Sequence, residues 1–196
     1  MYTLLLDTHF SKVTIVLYKE GKVIAKEEKE SNQSHSIITM PLLEEILKTN
    51  KLAIRDINEL VVVNGPGSFT GVRIGVTIAK TISYCLNIPI KVISSLEVLA
   101  SNIESSTNKI VALNDRNGYF IGEFTSVNKL VKDYFYISNA EYREFIKQNN
   151  VYDNISVIDY DKVYVLIKET AVVNPHLVNP LYVKKIEVLK WLDMLN

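Results

Sequence analysis

One cysteine, Cys85, is all the chain has, so no internal disulfide can staple the fold and thiolates cannot cage a structural zinc. Glycine and proline are also scarce, at seven and five residues, which excludes a collagen-like fibre. A hydrophobic share of 47% excludes a disordered tail. Neither sign of charge dominates: Lys plus Arg and Asp plus Glu stand at 22 each, for a net charge of zero. Proteins that coat a polyanion carry a basic surplus, so nucleic acid is expected to be met only through a partner. Arginine is rare, and bidentate recognition of carboxylate or phosphate has to rest on Arg55, Arg73, Arg116 or Arg143. His9, His35 and His176 lie far apart, with no His-x-x-x-His pair, so no metal site and no zincin-type peptidase is expected. No window approaches eighteen uncharged apolar residues, and the opening apolar run 2–6 is too short for a signal peptide; the expected address is the cytoplasm.

What is present reads as an α/β protein. Residues 2–6 and the alternation of Val13, Ile15 and Leu17 predict a β-hairpin, and Gly21 turns the chain into a third strand over 23–28. Ser34 or Ser36 can cap a helix running to about Lys48, and Val61-Val62-Val63 has the continuous apolar character of a buried parallel strand. Ser68 can cap a helix over 69–86, a strand follows over 89–93, and Ser94 with Glu97 forms a capping box. A βββαβαβα module thus ends near residue 103, and the Ser-, Asn- and Thr-rich stretch 102–109 reads as a linker. Beyond it the pattern predicts strands over 109–113, 119–125 and 130–137, a helix over 140–148, strands over 155–158 and 163–167, and a closing helix from Lys184. The expected units are 1–103 and a smaller 104–196.

Four of the glycines, Gly65, Gly67, Gly71 and Gly75, fall between a strand and the body of a helix. One reading is anion binding at a helix N-terminus, with Ser68 beside it and Asp7 holding a magnesium-bound water. The stretch lacks the Gly-Lys-Ser/Thr ending of a P-loop and misses the dinucleotide spacing by one residue. The other reading is a tight strand-to-helix turn whose glycines let the backbone approach another helix, with Asp7 an ordinary strand end. Ser68 lacks a Gly-x-Ser-x-Gly elbow and is not expected to be a nucleophile.

The two helices carry more apolar surface than one sheet can cover. At about 100° per residue, Phe69, Val72, Val76, Ala79 and Leu86 with Ile74, Ile78, Ile82 and Cys85 span roughly 220°, against the ~100° stripe that a helix on a sheet needs. Ile38, Met40, Leu42, Leu43, Ile46 and Leu47 span roughly 200° on the preceding helix. The surplus can be covered by the neighbouring helix, by the second unit or by another chain.

Taken together, the motifs resemble those of the TsaB (YeaZ) family of threonylcarbamoyladenosine biosynthesis. The resemblance rests on Asp7-Thr8, on Ser34-His35-Ser36, and above all on Asn64-Gly65-Pro66-Gly67-Ser68-Phe69-Thr70-Gly71-Val72-Arg73-Ile74-Gly75. Ser94-Ser95-Leu96, Asn114-Asp115-Arg116-Asn117-Gly118 and Asn179-Pro180-Leu181-Tyr182-Val183 support it. It implies an actin-like fold, of the sugar kinase/Hsp70 type, with two βββαβα-type domains, the second shortened here. It also implies a non-catalytic subunit that pairs with the catalytic TsaD, joins the ATPase TsaE, forms a homodimer when alone, and meets tRNA only indirectly. No cofactor is expected for the chain alone, and ATP or ADP is compatible with its joint with the partner; Asp7, Gly65, Gly67 and Ser68 are the candidate cofactor-binding residues. The implied partner face comprises His35, Ile38, Leu42, Ile46, Phe69, Thr70, Val72, Arg73, Val76 and Lys80. On that expectation, Val76→Glu should abolish pairing while the monomer still folds. The competing expectation is an ATP-dependent phosphotransferase or ATPase using Asp7 and the 65–71 loop.

Overall fold

Leu4, Leu5 and Leu6 are all fully buried, because the strand they form is covered on both faces. The computed structural model describes residues 1–31 and 35–184. Its first half runs β1 (Tyr2–Asp7), β2 (Lys12–Lys19), β3 (Lys22–Glu30), α1 (His35–Thr49), β4 (Glu59–Val63), α2 (Phe69–Leu86), β5 (Ile90–Ile93) and α3 (Ser95–Ser101). Its second half runs β6 (Lys109–Asp115), β7 (Gly118–Phe124), β8 (Leu130–Ser138), α4 (Asn139–Gln148), β9 (Val151–Tyr152), α5 (Tyr160–Glu169) and β10 (Val172–Val173).

The first sheet has the order β10-β5-β4-β1-β2-β3, with β1, β4 and β5 parallel and the outer strands antiparallel. Leu4 pairs with Leu60 and Leu6 with Val62, so alternate residues share a face. Leu4, Leu6, Ile15, Leu60 and Val62 pack under α1 and α2. Leu5, Val16, Val61 and Val63 meet Val98 of α3 and Tyr160, Val163 and Ile167 of α5 on the other face.

The second sheet, β8-β7-β6-β9, repeats the plan: three antiparallel strands, a helix, then a strand parallel to the first. The expected βββαβα order is therefore repeated, with a four-stranded second sheet that ends in the two-residue β9. Leu96, Leu99 and Ala100 of α3 cover one face of this sheet, and Tyr142 of α4 covers the other. With Val98 on the first sheet, α3 is the wedge that both sheets share. Lys109 is buried beneath it and donates to the carbonyls of Ala100 and Ile103 at 2.7 and 2.6 Å, closing the helix end where backbone acceptors are otherwise orphaned. Among the described residues, no helix is long and apolar enough to cross a membrane.

Two expected strands differ. Residues 155–158 form no strand, and 163–167 lie inside α5. The alternation of Val163, Val165 and Ile167 mimics a strand, but the buried set is Tyr160, Val163 and Ile167, at helical spacing, and Asp159 caps the first turn by accepting from Asp161 and Lys162 amides. Although 160–173 falls in the range expected for the second unit, α5 packs on the first sheet and β10 pairs with β5. The expected Ser34 cap and the closing helix beyond Lys184 lie outside the described residues.

Candidate partner-binding face and inter-sheet cleft

The glycine-rich turn is packed against the β1–β2 turn. A Cβ on Gly71 would strike the carbonyl oxygen of Thr8 and lie 2.9 Å from His35 Nε2, one on Gly75 would strike the Thr8 hydroxyl, and one on Gly67 would strike the His9 carbonyl. Only hydrogen fits at these three positions. Thr8 Oγ1 donates to the Gly71 carbonyl at 2.7 Å, and the Ser68 amide donates to the His9 carbonyl at 2.7 Å. Gly65 adopts φ 99°, a region that favours glycine. Ser68 is the N-cap of α2, its hydroxyl accepting from the Gly71 amide at 3.2 Å. On the other side, Ser95 donates from its amide to the Gly65 carbonyl at 2.9 Å and from its hydroxyl to the Pro66 carbonyl at 2.5 Å. The cluster thus joins the β1–β2 turn, α2 and α3.

Asp7 is buried and its Oδ1 meets both the amide and Nδ1 of His9. Both residues line a cleft of ≈ 370 Å³ between the β1–β3 end of the first sheet, α3 and the 155–160 segment, walled by Val98, Leu99, Ile155, Ile158 and Tyr160. Burial, helped by the nearby Asp7 charge, pushes the Tyr160 phenol above its ordinary range. His9 was not among the sequence candidates; its Nε2 is buried without a partner among the described residues. Among the described residues, no group of three or more His, Cys, Asp or Glu could hold a metal ion.

The helices sort their apolar residues differently from the wheel arithmetic. Leu42, Ile46, Val72 and Val76 are 0–4% exposed and belong to the core under the first sheet. His35 is 5% exposed, with its Nε2 2.7 Å from the Phe10 carbonyl. These five residues therefore cannot present an outer surface, and the expectation that Val76→Glu spares the fold is corrected by the same burial. Ile38 is half-buried against that core, while Phe69, Thr70 and Arg73 are exposed. Lys80 is half-buried and donates to the carbonyls of His176 and Val178 at 3.1 and 3.2 Å.

The residues that do face outward are Ile37, Met40 and Leu86, at 73, 39 and 42% exposure, with Cys85 exposed and Ile74, Ile78 and Ile82 half-buried. Met40, Leu43, Leu47, Leu52, Ile54, Ile82, Cys85 and Leu86 line an open groove of ≈ 810 Å³ between α1, the 51–56 segment that follows it and the C-terminal end of α2. The motif 179–183 and the residues before it, from 174, run along the other flank of α2. Val178 is buried in the α1–α2 core, Tyr84 meets the His176 ring edge-on at 4.9 Å, and Leu181 donates to the Asn64 carbonyl at 2.8 Å. Arg73 Nε donates to the Tyr182 hydroxyl at 2.6 Å. A long-range contact of this kind carries no local signal.

Comparison with known proteins places this geometry. The family model described as "TsaD: tRNA N6-adenosine threonylcarbamoyltransferase" matches residues 22–121. The chain is similar to the tRNA threonylcarbamoyladenosine biosynthesis protein TsaB of Bacillus subtilis, with 44% identity over 102 residues, 52% of this chain and 44% of that one. The Escherichia coli TsaB is 32% identical over 121 residues, 60% of this chain and 52% of that one. An uncharacterized protein of Mycoplasma genitalium is 30% identical over 193 residues, 93% of this chain and 95% of that one. The chain spans about half the length of the curated TsaB relatives it matches. The solved structure of YeaZ from Pseudomonas aeruginosa has the same fold, with a TM-score of 0.76 and 19% identity over 92% of this chain and 99% of that one.

Proposed function

The chain belongs to the TsaB (YeaZ) branch of the family that the TsaD model describes, and from that membership we propose that it is a non-catalytic subunit of the tRNA threonylcarbamoyladenosine machinery. It pairs with a TsaD-like catalytic subunit, which carries out the transfer of the threonylcarbamoyl group, and tRNA is met through that partner. When the partner is absent, the same face pairs two copies of the chain. A TsaE-like ATPase joins the assembly, a nucleotide has its place at the joint between subunits, and the assembly works in the cytoplasm.

The observation that carries this reading is the outward apolar strip of α1 and α2. Ile37, Met40 and Leu86 are exposed although the same helices have already filled the core beneath them. Met40 and Leu86 share one groove with a charged border of Glu44, Lys48, Lys51, Arg55 and Asp56; exposed apolar surface marks an interface, and an obligate one buries on the order of 2,000 Å² or more in total. Asp7 does not need a catalytic role in this reading, because it is engaged by His9 at the end of β1.

Co-purification with the TsaD-like subunit tests the reading. Met40 and Leu86 both line the groove and both reach solvent, so Met40→Asp combined with Leu86→Asp leaves the core intact. The double variant is expected to melt like the wild type and to lose the partner. Undiminished recovery of the partner with the double variant overturns the proposal.

A further inference from the structure

Arg73 sits in the second turn of α2, over the ring of Phe69 at 3.7 Å, with the Tyr182 ring, next to that of Phe69, at 5.6 Å. Its Nε donates to the Tyr182 hydroxyl at 2.6 Å, and the Phe69 and Tyr182 rings are 5.4 Å apart. The guanidinium is therefore seated on the Phe69 ring and tied through Nε to the Tyr182 hydroxyl, while its terminal nitrogens make no hydrogen bond to the described residues. No ion pair among the described residues includes Arg73. Its position adds to the unmet positive potential: the first turn of α2 holds no acidic residue, and a helix N-terminus is itself partly positive. Both rings stay open to solvent, Phe69 at 46% and Tyr182 at 48%.

Structural stability does not explain such an arrangement, because a cation near the positive end of a helix is unfavourable unless an anion answers it. An ordered guanidinium with a free fork is suited to a carboxylate, which it grips through two parallel hydrogen bonds. Seating on Phe69 and the hydrogen bond to Tyr182 lower the side-chain entropy that binding otherwise costs, and Arg, Tyr and other aromatics are the residues that dominate interface energetics.

Resting on the reading that α1 and α2 present the partner face, we propose that Phe69, Arg73 and Tyr182 form a preorganised hook for a carboxylate side chain of the TsaD-like partner. Arg73 makes the contact, and Tyr182, delivered by the 174–183 strap, is a positioning residue. The strap thereby becomes part of the interface, which a reading limited to the two helices leaves out.

Titration calorimetry against the TsaD-like subunit of the same organism, repeated at several salt concentrations, tests the hook. Arg73→Gln should weaken binding about 10-fold or more and flatten its salt dependence, since a charge pair has been removed. Arg73→Lys keeps the charge but loses the fork and the flat seat, so it should restore the salt dependence without restoring the affinity. Tyr182→Phe, which keeps the ring but frees Nε, should cost about threefold and leave the salt slope as in the wild type. The Met40→Asp, Leu86→Asp double variant is run alongside. Wild-type affinity and salt slope for Arg73→Gln, with the double variant failing to bind, overturn the hook and leave the proposed face standing. Wild-type binding by both overturns the face and the hook together, and so does a wild-type chain that does not bind.

Discussion

Val76 separates the inner and outer sides of α2. It is 3% exposed among Leu, Ile and Val side chains, so Val76→Glu places a carboxylate where nothing can pair with it. The penalty is about 4 kcal/mol, a large part of the 5–15 kcal/mol that holds a typical domain together. The variant should lose its cooperative melt in circular dichroism, not merely its partner; a wild-type melting profile would show that the side chain escapes the core. The wheel assigned Val76 to a broad apolar arc correctly, but an arc wider than one sheet needs does not say which part of it turns inward. Gly75, adjacent in sequence, supplies the missing direction. Because a Cβ there would strike the Thr8 hydroxyl, this side of α2 has to lie on the β1–β2 turn, and Val72, Val76 and Ala79 follow it inward. The close-packing reading of the glycines was legible from their number, whereas the identity of the neighbour was not. They admit a β-turn and the His35 ring, not simply another helix.

Capping chemistry is local, and so the element ends were legible where a cap fixes them. Ser94 and Glu97 form both bonds of the box, the Glu97 amide to Ser94 Oγ at 3.1 Å and the Ser94 amide to Glu97 Oε2 at 2.6 Å. What the sequence could not show is that the same hydroxyl lies 2.8 Å from the Tyr134 hydroxyl of β8, so that the cap of α3 also ties down the second sheet. Ser94→Ala should therefore cost more than the ~1 kcal/mol of an ordinary cap. With the half-buried phenol left short of a partner, about 2 kcal/mol is expected, lowering the melting temperature by roughly 5 °C for a chain of this size. A shift within 2 °C, measured by calorimetry, would mean that water replaces the serine at no cost. The helix α5 shows the opposite case. Its Val, Tyr and Ile content favours a strand, and what decides the matter is the first sheet beneath Tyr160, Val163 and Ile167, whose packing residues run from Leu5 to Ile93, far back in the chain. The motif 179–183 was visible for the same reason that its role was not: its partners, Asn64 and Arg73, are equally remote.

At the scale of the whole molecule, α3 joins two sheets whose buried tyrosines report on both. Burial is the main cause that pushes Tyr18 and Tyr160 of the first sheet's core, and Tyr134 and Tyr142 of the second half, above the ordinary tyrosine range. Tyr142 is held further by donating to Asp153 at 2.6 Å. The sign follows from where the protons sit. Below the ordinary tyrosine value near 10, folded and unfolded chains both keep these protons and stability does not change on their account. Above it, the unfolded chain releases protons that the folded chain retains, so stability falls as pH rises, by about 1.4 kcal/mol per unit for each group in that condition. Alkali should thus unfold the protein, with tyrosinate absorbance from the buried phenols rising in step with the loss of far-ultraviolet dichroism. Because Val98 packs on the first sheet and Leu96 and Leu99 on the second, neither sheet can release α3 without exposing core of the other. One transition is therefore expected for all four tyrosines. Two separated steps, observed as early loss of Tyr134 and Tyr142 protons while the first sheet stays folded, would show that the wedge does not couple the halves.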